Sequence, residues 1–248
     1  MAQALKIFLT AVWRDLAMLN YAVDPALLRP FVPAGAELDS FDGKTYVSLV
    51  GFRFLQTRVR GIRVPFHQNF EEVNLRFYVR RDHPGPARGS VGNNPRRGVV
   101  FIREIVPRWA IAKIARTVFH ENYINLPMSH RIAVEGSTVR AEYLWHQNDN
   151  WHRTLLECSG LPTRPPAASL AEFITEHYWG YARQPDGSTL EYQVTHDPWR
   201  VWTATRAYFE GDATPLYGAA LAEVLKRNPD SAFLAEGSEV KVFSGTRI

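Results

Sequence analysis

Residues 69–80 read NFEEVNLRFYVR, and their alternation constrains the fold more than any other segment. Side chains of an extended strand point to opposite faces in turn. Val73, Leu75, Phe77 and Val79 therefore share one face, and Glu72, Asn74, Arg76 and Tyr78 share the other. The first face belongs in a core. The second either meets water or lines a binding cavity. Its charged groups stand in steps of about 7 Å along the strand, so Glu72 and Arg76 cannot pair directly and need partners from other strands, a ligand or water.

Strand patterns dominate the rest of the chain. Residues 5–23 form a long apolar run, and TYVSLVGFRFL (45–55) places Tyr46, Ser48, Val50, Phe52 and Phe54 on one face. RGVVFIREI (97–105) follows the opening strand, and STVRAEYLW and HRTLLECSG are joined through HQNDNWH as a hairpin. TLEYQVTH, RVWTATRAYF and SEVKVF supply further strands. Helical signals are few. Pro107 opens PRWAIAKIARTVF, where Ile111, Ile114, Ala115 and Val118 make a buried stripe and Lys113 and Arg116 fall opposite. Ser169 and Glu172 have capping-box spacing, and a last helix lies near GAALAEVLKR. No stretch reads as a linker. The expectation is one domain over 1–248, α+β and β-rich, with a mainly antiparallel sheet curled into a barrel or cone and a few helices packed outside.

Composition narrows the function classes. With 46% hydrophobic residues in a chain of 248, a substantial core is available. The net charge of +4 comes from arginines spread along the chain without a nucleic-acid-binding module, so no nucleic-acid partner is expected. Cys158 is the single cysteine, which rules out an intramolecular disulfide and reads as a packed thiol. The N-terminal apolar run ends at Arg14 and Asp15, too short to span a membrane and without a cleavage site, so a cytoplasmic protein is expected. His146 and His152 flank an NDN turn and could face each other, but no metal-binding spacing is present, and neither metal nor cofactor is expected. The loop 82–97 is rich in Gly, Pro and Arg and lacks the ending of a phosphate-binding loop. A homo-oligomer is compatible with this composition.

Two further residues stand out. Arg14 has apolar neighbours on both sides, which points to partial burial and to a carboxylate partner: Asp15, Glu72, Glu104 or a ligand. Ser48 lies in mid-strand, where a hydroxyl normally bonds the neighbouring strand.

The ordered strings FLTAVWRDL, LNYAVDPALLRPFVPAGAELD, TYVSLVGF, FEEVNLRFYV, GVVFI, HYWGY and HDPW resemble the YqjF-like family of uncharacterised bacterial proteins over nearly the whole chain. That family is similar to the acetoacetate decarboxylase superfamily, whose fold is a cone-shaped antiparallel barrel with a closed pocket. The resemblance implies that Arg14 stands where the decarboxylase has its pocket arginine, Ser48 where it has a pocket glutamate, and Glu104 at the glutamate before the reactive lysine. Ala110 falls at the lysine itself. Lys113 lies on a polar helix face, and Lys6, Lys44, Lys226 and Lys241 lack the apolar setting that a Schiff-base amine requires. The expected protein holds a small carboxylate or carbonyl metabolite. Arg14 would clamp it, Ser48, Asn74 and Arg76 would line the site, and any catalysis would be acid–base chemistry by Glu72 or Glu104. Two alternatives are a lyase with a lysine recruited from elsewhere and a non-catalytic scaffold using the arginines near Arg88, Arg96 and Arg97.

Overall fold

The protein is described by a computed structural model covering residues 6–82 and 95–248. The chain enters through β1 (Ile7–Val23), turns through α1 (Pro25–Leu28) and the short β2 (Glu37–Leu38), and runs back as β3 (Thr45–Val59). After β4 (Ile62–Arg63) come the long strands β5 (Phe70–Arg81) and β6 (Arg96–Val106), then α2 (Trp109–Val118) and β7 (Tyr123–Asn125). A meander follows: β8 (Met128–Glu135), β9 (Thr138–Gln147) and β10 (Asn150–Ser159). Next are α3 (Leu170–Thr175), β11 (Trp179–Arg183), β12 (Thr189–His196) and β13 (Val201–Glu210). The chain ends with α4 (Thr214–Leu225), β14 (Ser231–Ala235), β15 (Glu239–Phe243) and β16 (Thr246–Arg247).

Strand pairing closes on itself. β1 pairs β3, β3 pairs β5, β5 pairs β6, β6 pairs β11, β11 pairs β12, β12 pairs β15, and β15 returns to β1. Every pairing in this ring is antiparallel except β6 with β11, which is parallel. The result is a β-rich α+β fold in which the ring leaves an inside and an outside.

β1 is long enough to serve two sheets. Its first half pairs β15 and its second half pairs β14, which continues through β13, β10, β9 and β8. The branch falls at a bulge where Asp15 takes φ 55° and the β1–β3 register shifts between Arg14 and Ala17. Gly237 crosses the same point with φ +79°, and a Cβ there would lie 2.1 Å from the Trp13 carbonyl oxygen, so only glycine fits. The Tyr143 hydroxyl braces the bulge by donating to the Asp15 carbonyl at 2.8 Å.

This second sheet folds over the ring. Val73, Leu75, Phe77 and Val79 of β5 join Leu19, Tyr21, Val47 and Leu49 in a core with Tyr143, Trp145, Leu156 and Cys158. Leu216, Tyr217 and Leu221 of α4 complete it. The outer layer expected to be helical is therefore mostly sheet. The Cys158 thiol is pushed up to about 12 by burial, in keeping with a packed side chain.

Helix α2 also departs from the periodicity. It starts at Trp109, two residues after Pro107, and buries Ile111 and Ala112 while Val118 is 41% exposed. Phe119, at the cap, is buried instead. At α3, the Ser169 hydroxyl accepts from the Glu172 amide at 3.2 Å, while the Glu172 carboxylate accepts from Ala168 at 2.6 Å. The β9–β10 turn carries Asn148 and Asp149 in left-handed conformations. That register sets Trp145 against His152 and His146 against Trp151. The two histidines thus lie on opposite faces and do not meet. No helix among the described residues is long and apolar enough to cross a membrane.

Sheet-on-sheet contact is tightest where Gly51 meets Tyr143: a Cβ there would lie 2.7 Å from the ring. Gly51→Ala is expected to destabilise the fold by about 1–3 kcal/mol, read from the midpoint of urea unfolding. An unchanged midpoint would show that the two sheets do not pack this way.

Candidate functional site

The ring encloses a cavity of about 130 Å³. A dry cavity of roughly 150 Å³ admits benzene, so the space suits a ligand of about six heavy atoms. Its walls are mainly apolar: Leu9, Trp13 and Leu16 from β1, Phe52 and Phe54 from β3, Phe70 from β5, and Ile111, Ile114 and Ala115 from α2.

One wall is polar. The alternation of β5 that sends Val73 and Leu75 outward sends Glu72, Asn74 and Arg76 into the cavity. On β6 a register shift opposite Leu75 and Arg76 inserts an extra residue, Ile102. Phe101 and Glu104, three residues apart, thereby face the same side. The segment after α2 adds Glu121 and Tyr123, and Thr175, His177 and, from β12, Tyr192 and His196 complete the polar set.

Two of the three carboxyls are hydrogen-bonded within this wall. Asn74 Nδ2 donates to Glu72 Oε1 at 2.9 Å, and the Tyr123 hydroxyl donates to Glu72 Oε2 at 2.9 Å. The Tyr192 hydroxyl donates to Glu121 Oε1 at 2.9 Å. Arg76 Nη2 donates to the Ile174 carbonyl at 3.3 Å. Several buried polar atoms have no protein partner: Arg76 Nε, Asn74 Oδ1, Glu104 Oε2 and both ring nitrogens of His177. Such groups are costly to leave unpaired.

Burial dominates the electrostatics. It pushes the Glu72 carboxyl up to about 7, against the opposing pull of Asn74, Tyr123 and Arg76. It pushes Glu121 up to about 8 against the bond from Tyr192. Glu104 is raised well above the usual range by burial, then by the charges of Glu121 and Glu72. His177 is held well below its ordinary value by burial and by the nearby Arg76 and Arg97. Near neutrality the site thus contains a guanidinium, a neutral imidazole and carboxyls that retain protons.

Glu72, Asn74, Arg76 and Glu104 come together in this cavity. Arg14 does not. It is exposed, and its Nη1 donates to the Gly237 carbonyl at 3.3 Å. Trp13 takes the cavity face of β1, so its neighbour must face away, and Asp15 pairs with Arg53 instead. Ser48 is fully buried but absent from the cavity wall, bonded at 2.6 Å to both Asn20 Oδ1 and the Tyr78 hydroxyl. All five lysines are exposed and none lines the cavity. Arg96 and Arg97 open β6 and are held by the chain itself. Arg96 pairs with Glu191 and lies 4.0 Å over the Trp179 ring. Arg97 Nε meets Asp39 Oδ2 at 2.6 Å. Arg88, with most of the 82–97 loop, lies outside the described residues.

Sequence reasoning missed Glu121, Tyr123, His177 and Tyr192. Tyr192 carried a signal, since Tyr192, Val194 and His196 alternate on one face of β12 as the polar set does on β5, and His177 shares the helical spacing of Leu170, Phe173 and Ile174.

Residues 10–239 match DUF2071, described as an uncharacterized conserved protein. The chain belongs to this family. Uncharacterized protein YqjF of Bacillus subtilis (strain 168) is 26% identical to this DUF2071 member over 213 residues, 85% of this chain and 82% of YqjF. Acetoacetate decarboxylase from Legionella pneumophila has a TM-score of 0.66 at 13% identity, covering 97% of this chain and 87% of that one. The enduracididine biosynthesis enzyme MppR, complexed with the condensation product of pyruvate and imidazole 4-carboxaldehyde, also scores 0.66, at 12% identity over 96% and 88% of the two chains. At these identities the likeness is one of fold.

The raised carboxyls make stability depend on pH. The folded state holds protons that the unfolded chain releases near the ordinary glutamate value of 4.5. Their contribution is therefore full below about pH 4.5 and is lost as pH rises through 7 to 8. Each group can contribute up to about 1.4 kcal/mol per pH unit in that window. Glu121→Gln is expected to flatten the fall in unfolding free energy between pH 5 and 8, and an unchanged slope would count against the raised carboxyl.

Proposed function

We propose that the protein binds a small carboxylate- or carbonyl-bearing metabolite within the ring, which acts as a cone-shaped barrel around it. The observation that carries this reading is the unpartnered Nε of Arg76, buried in the same cavity as the two unpartnered nitrogens of His177. A guanidinium with a free donor in a low-dielectric site is suited to a carboxylate. Arg76 thus takes the anion-binding role that the sequence suggested for Arg14, and neutral His177 offers one more donor.

The chemistry open to the site is acid–base. A protonated Glu104 or Glu72 can donate to a carbonyl oxygen, while an ionised neighbour takes a proton from the adjacent carbon. A Schiff-base route has no support, because every lysine lies outside the cavity. MppR has been described in complex with pyruvate, which makes 2-oxo acids the natural first probes.

Pyruvate and acetoacetate are expected to raise the melting temperature of the wild type. Arg76→Met is expected to lose this shift and Arg14→Ala to keep it. Borohydride treatment with the same acids is expected to leave the intact mass unchanged. A shift lost in Arg14→Ala but kept in Arg76→Met, or a trapped adduct, would overturn the reading.

A further inference from the structure

Resting on the proposed carboxylate site, we infer that the natural ligand also carries a protonated amine, seated against Glu104 and Asn74 while its carboxylate meets Arg76.

The unpartnered atoms divide by type. Arg76 Nε and Trp13 Nε1 can only donate, and His177 as a neutral ring supplies one donor and one acceptor. Asn74 Oδ1, oriented by the bond its Nδ2 makes to Glu72, can only accept, and Glu104 Oε2 accepts whenever the carboxyl is ionised. Asn74 is 1% exposed and Glu104 2%, so bulk water does not serve these atoms. A ligand that completes the site must offer acceptors to Arg76 and donors to Asn74 and Glu104. A monocarboxylate completes only the Arg76 end.

Charge points the same way. Three carboxyls, Glu72, Glu104 and Glu121, line a cavity whose cationic side chain is Arg76 alone among the described residues. Tyr123 and Tyr192 donate to this cluster as neutral hydroxyls, and burial lowers the affinity of His177 and His196 for protons. No group of three His, Cys, Asp or Glu among the described residues is arranged to hold a metal ion. Protons on the carboxyls offset this imbalance, and a bound organic cation takes the place of one of them. Phe52, Phe54, Phe70 and Trp13 present aromatic faces suited to the methylenes and the ammonium of such a ligand.

This seat has a measurable consequence. An ammonium placed beside Glu104 favours its ionised form, so the carboxyl that held a proton releases it on binding. An alkanoate without the amine gives no such release.

The test is titration calorimetry at pH 7 in buffers of different ionisation enthalpy. The probes are glycine, 3-aminopropanoate and 4-aminobutyrate, each against the alkanoate in which methyl replaces ammonium: propanoate, butanoate and pentanoate. The best amino acid is expected to bind about tenfold tighter than its alkanoate, with release of about one proton. Glu104→Gln is expected to bring the pair within about twofold and remove the proton release. The wild-type measurement stands even if that variant fails to fold. Equal affinities within each pair, or binding without proton release, would overturn the inference and leave the carboxylate site intact. Failure of all six probes and of the 2-oxo acids would overturn both.

Discussion

Pairing of β1 with β3 and β15 joins the ends of the sheet, and the two faces this creates impose everything else. A closed sheet has no free edge on its ring, so its backbone groups are satisfied without solvent. What remains to be settled is the side chains. On the outside, β5 presents Val73, Leu75, Phe77 and Val79 to a second sheet that buries them fully. On the inside it presents Glu72, Asn74 and Arg76 to a space too small to hydrate them as bulk water does.

The inner face is where the molecule tolerates an unfavourable arrangement. Three carboxyls beside one guanidinium cannot all ionise at low dielectric, so protons stay on and the imidazole of His177 stays neutral. A core built for stability alone would fill this space with apolar side chains, as the outer face does. Strongly perturbed groups gathered in one cavity, with donors and acceptors left open, support the proposed ligand site. Arg76, Glu72 and Glu104 are held on strands rather than loops, which fixes their geometry before anything binds.

Much of this was legible in the sequence because strands write their faces in alternate residues. The division of β5 into an apolar and a polar side followed from NFEEVNLRFYVR alone, and the NDN turn marked its hairpin. Arg14 could not be placed that way. Both of its flanking faces are apolar, and only the fold shows that Trp13 holds the cavity side and that the chain bulges at Asp15. Ser48 was readable as a strand-to-strand bond, and that is where its hydroxyl goes. Glu121 lies between regular elements, where no period assigns a direction, and His177 follows the helical spacing of Leu170, Phe173 and Ile174 but stands past the end of α3; both enter the site only because the ring brings those segments together. The outer sheet was mistaken for helices for a related reason: an apolar strand face records that it is covered, but not by what.

The ring buries three carboxyls in one cavity. Carbon-13 NMR titration of glutamate side-chain carboxyls, assigned by Glu72→Gln, Glu104→Gln and Glu121→Gln, tests it directly. Three resonances are expected to remain in the protonated form well above the ordinary glutamate range and to change together near and above neutrality. Three independent transitions near 4.5, the ordinary glutamate value, would show that water reaches these groups and would contradict the account.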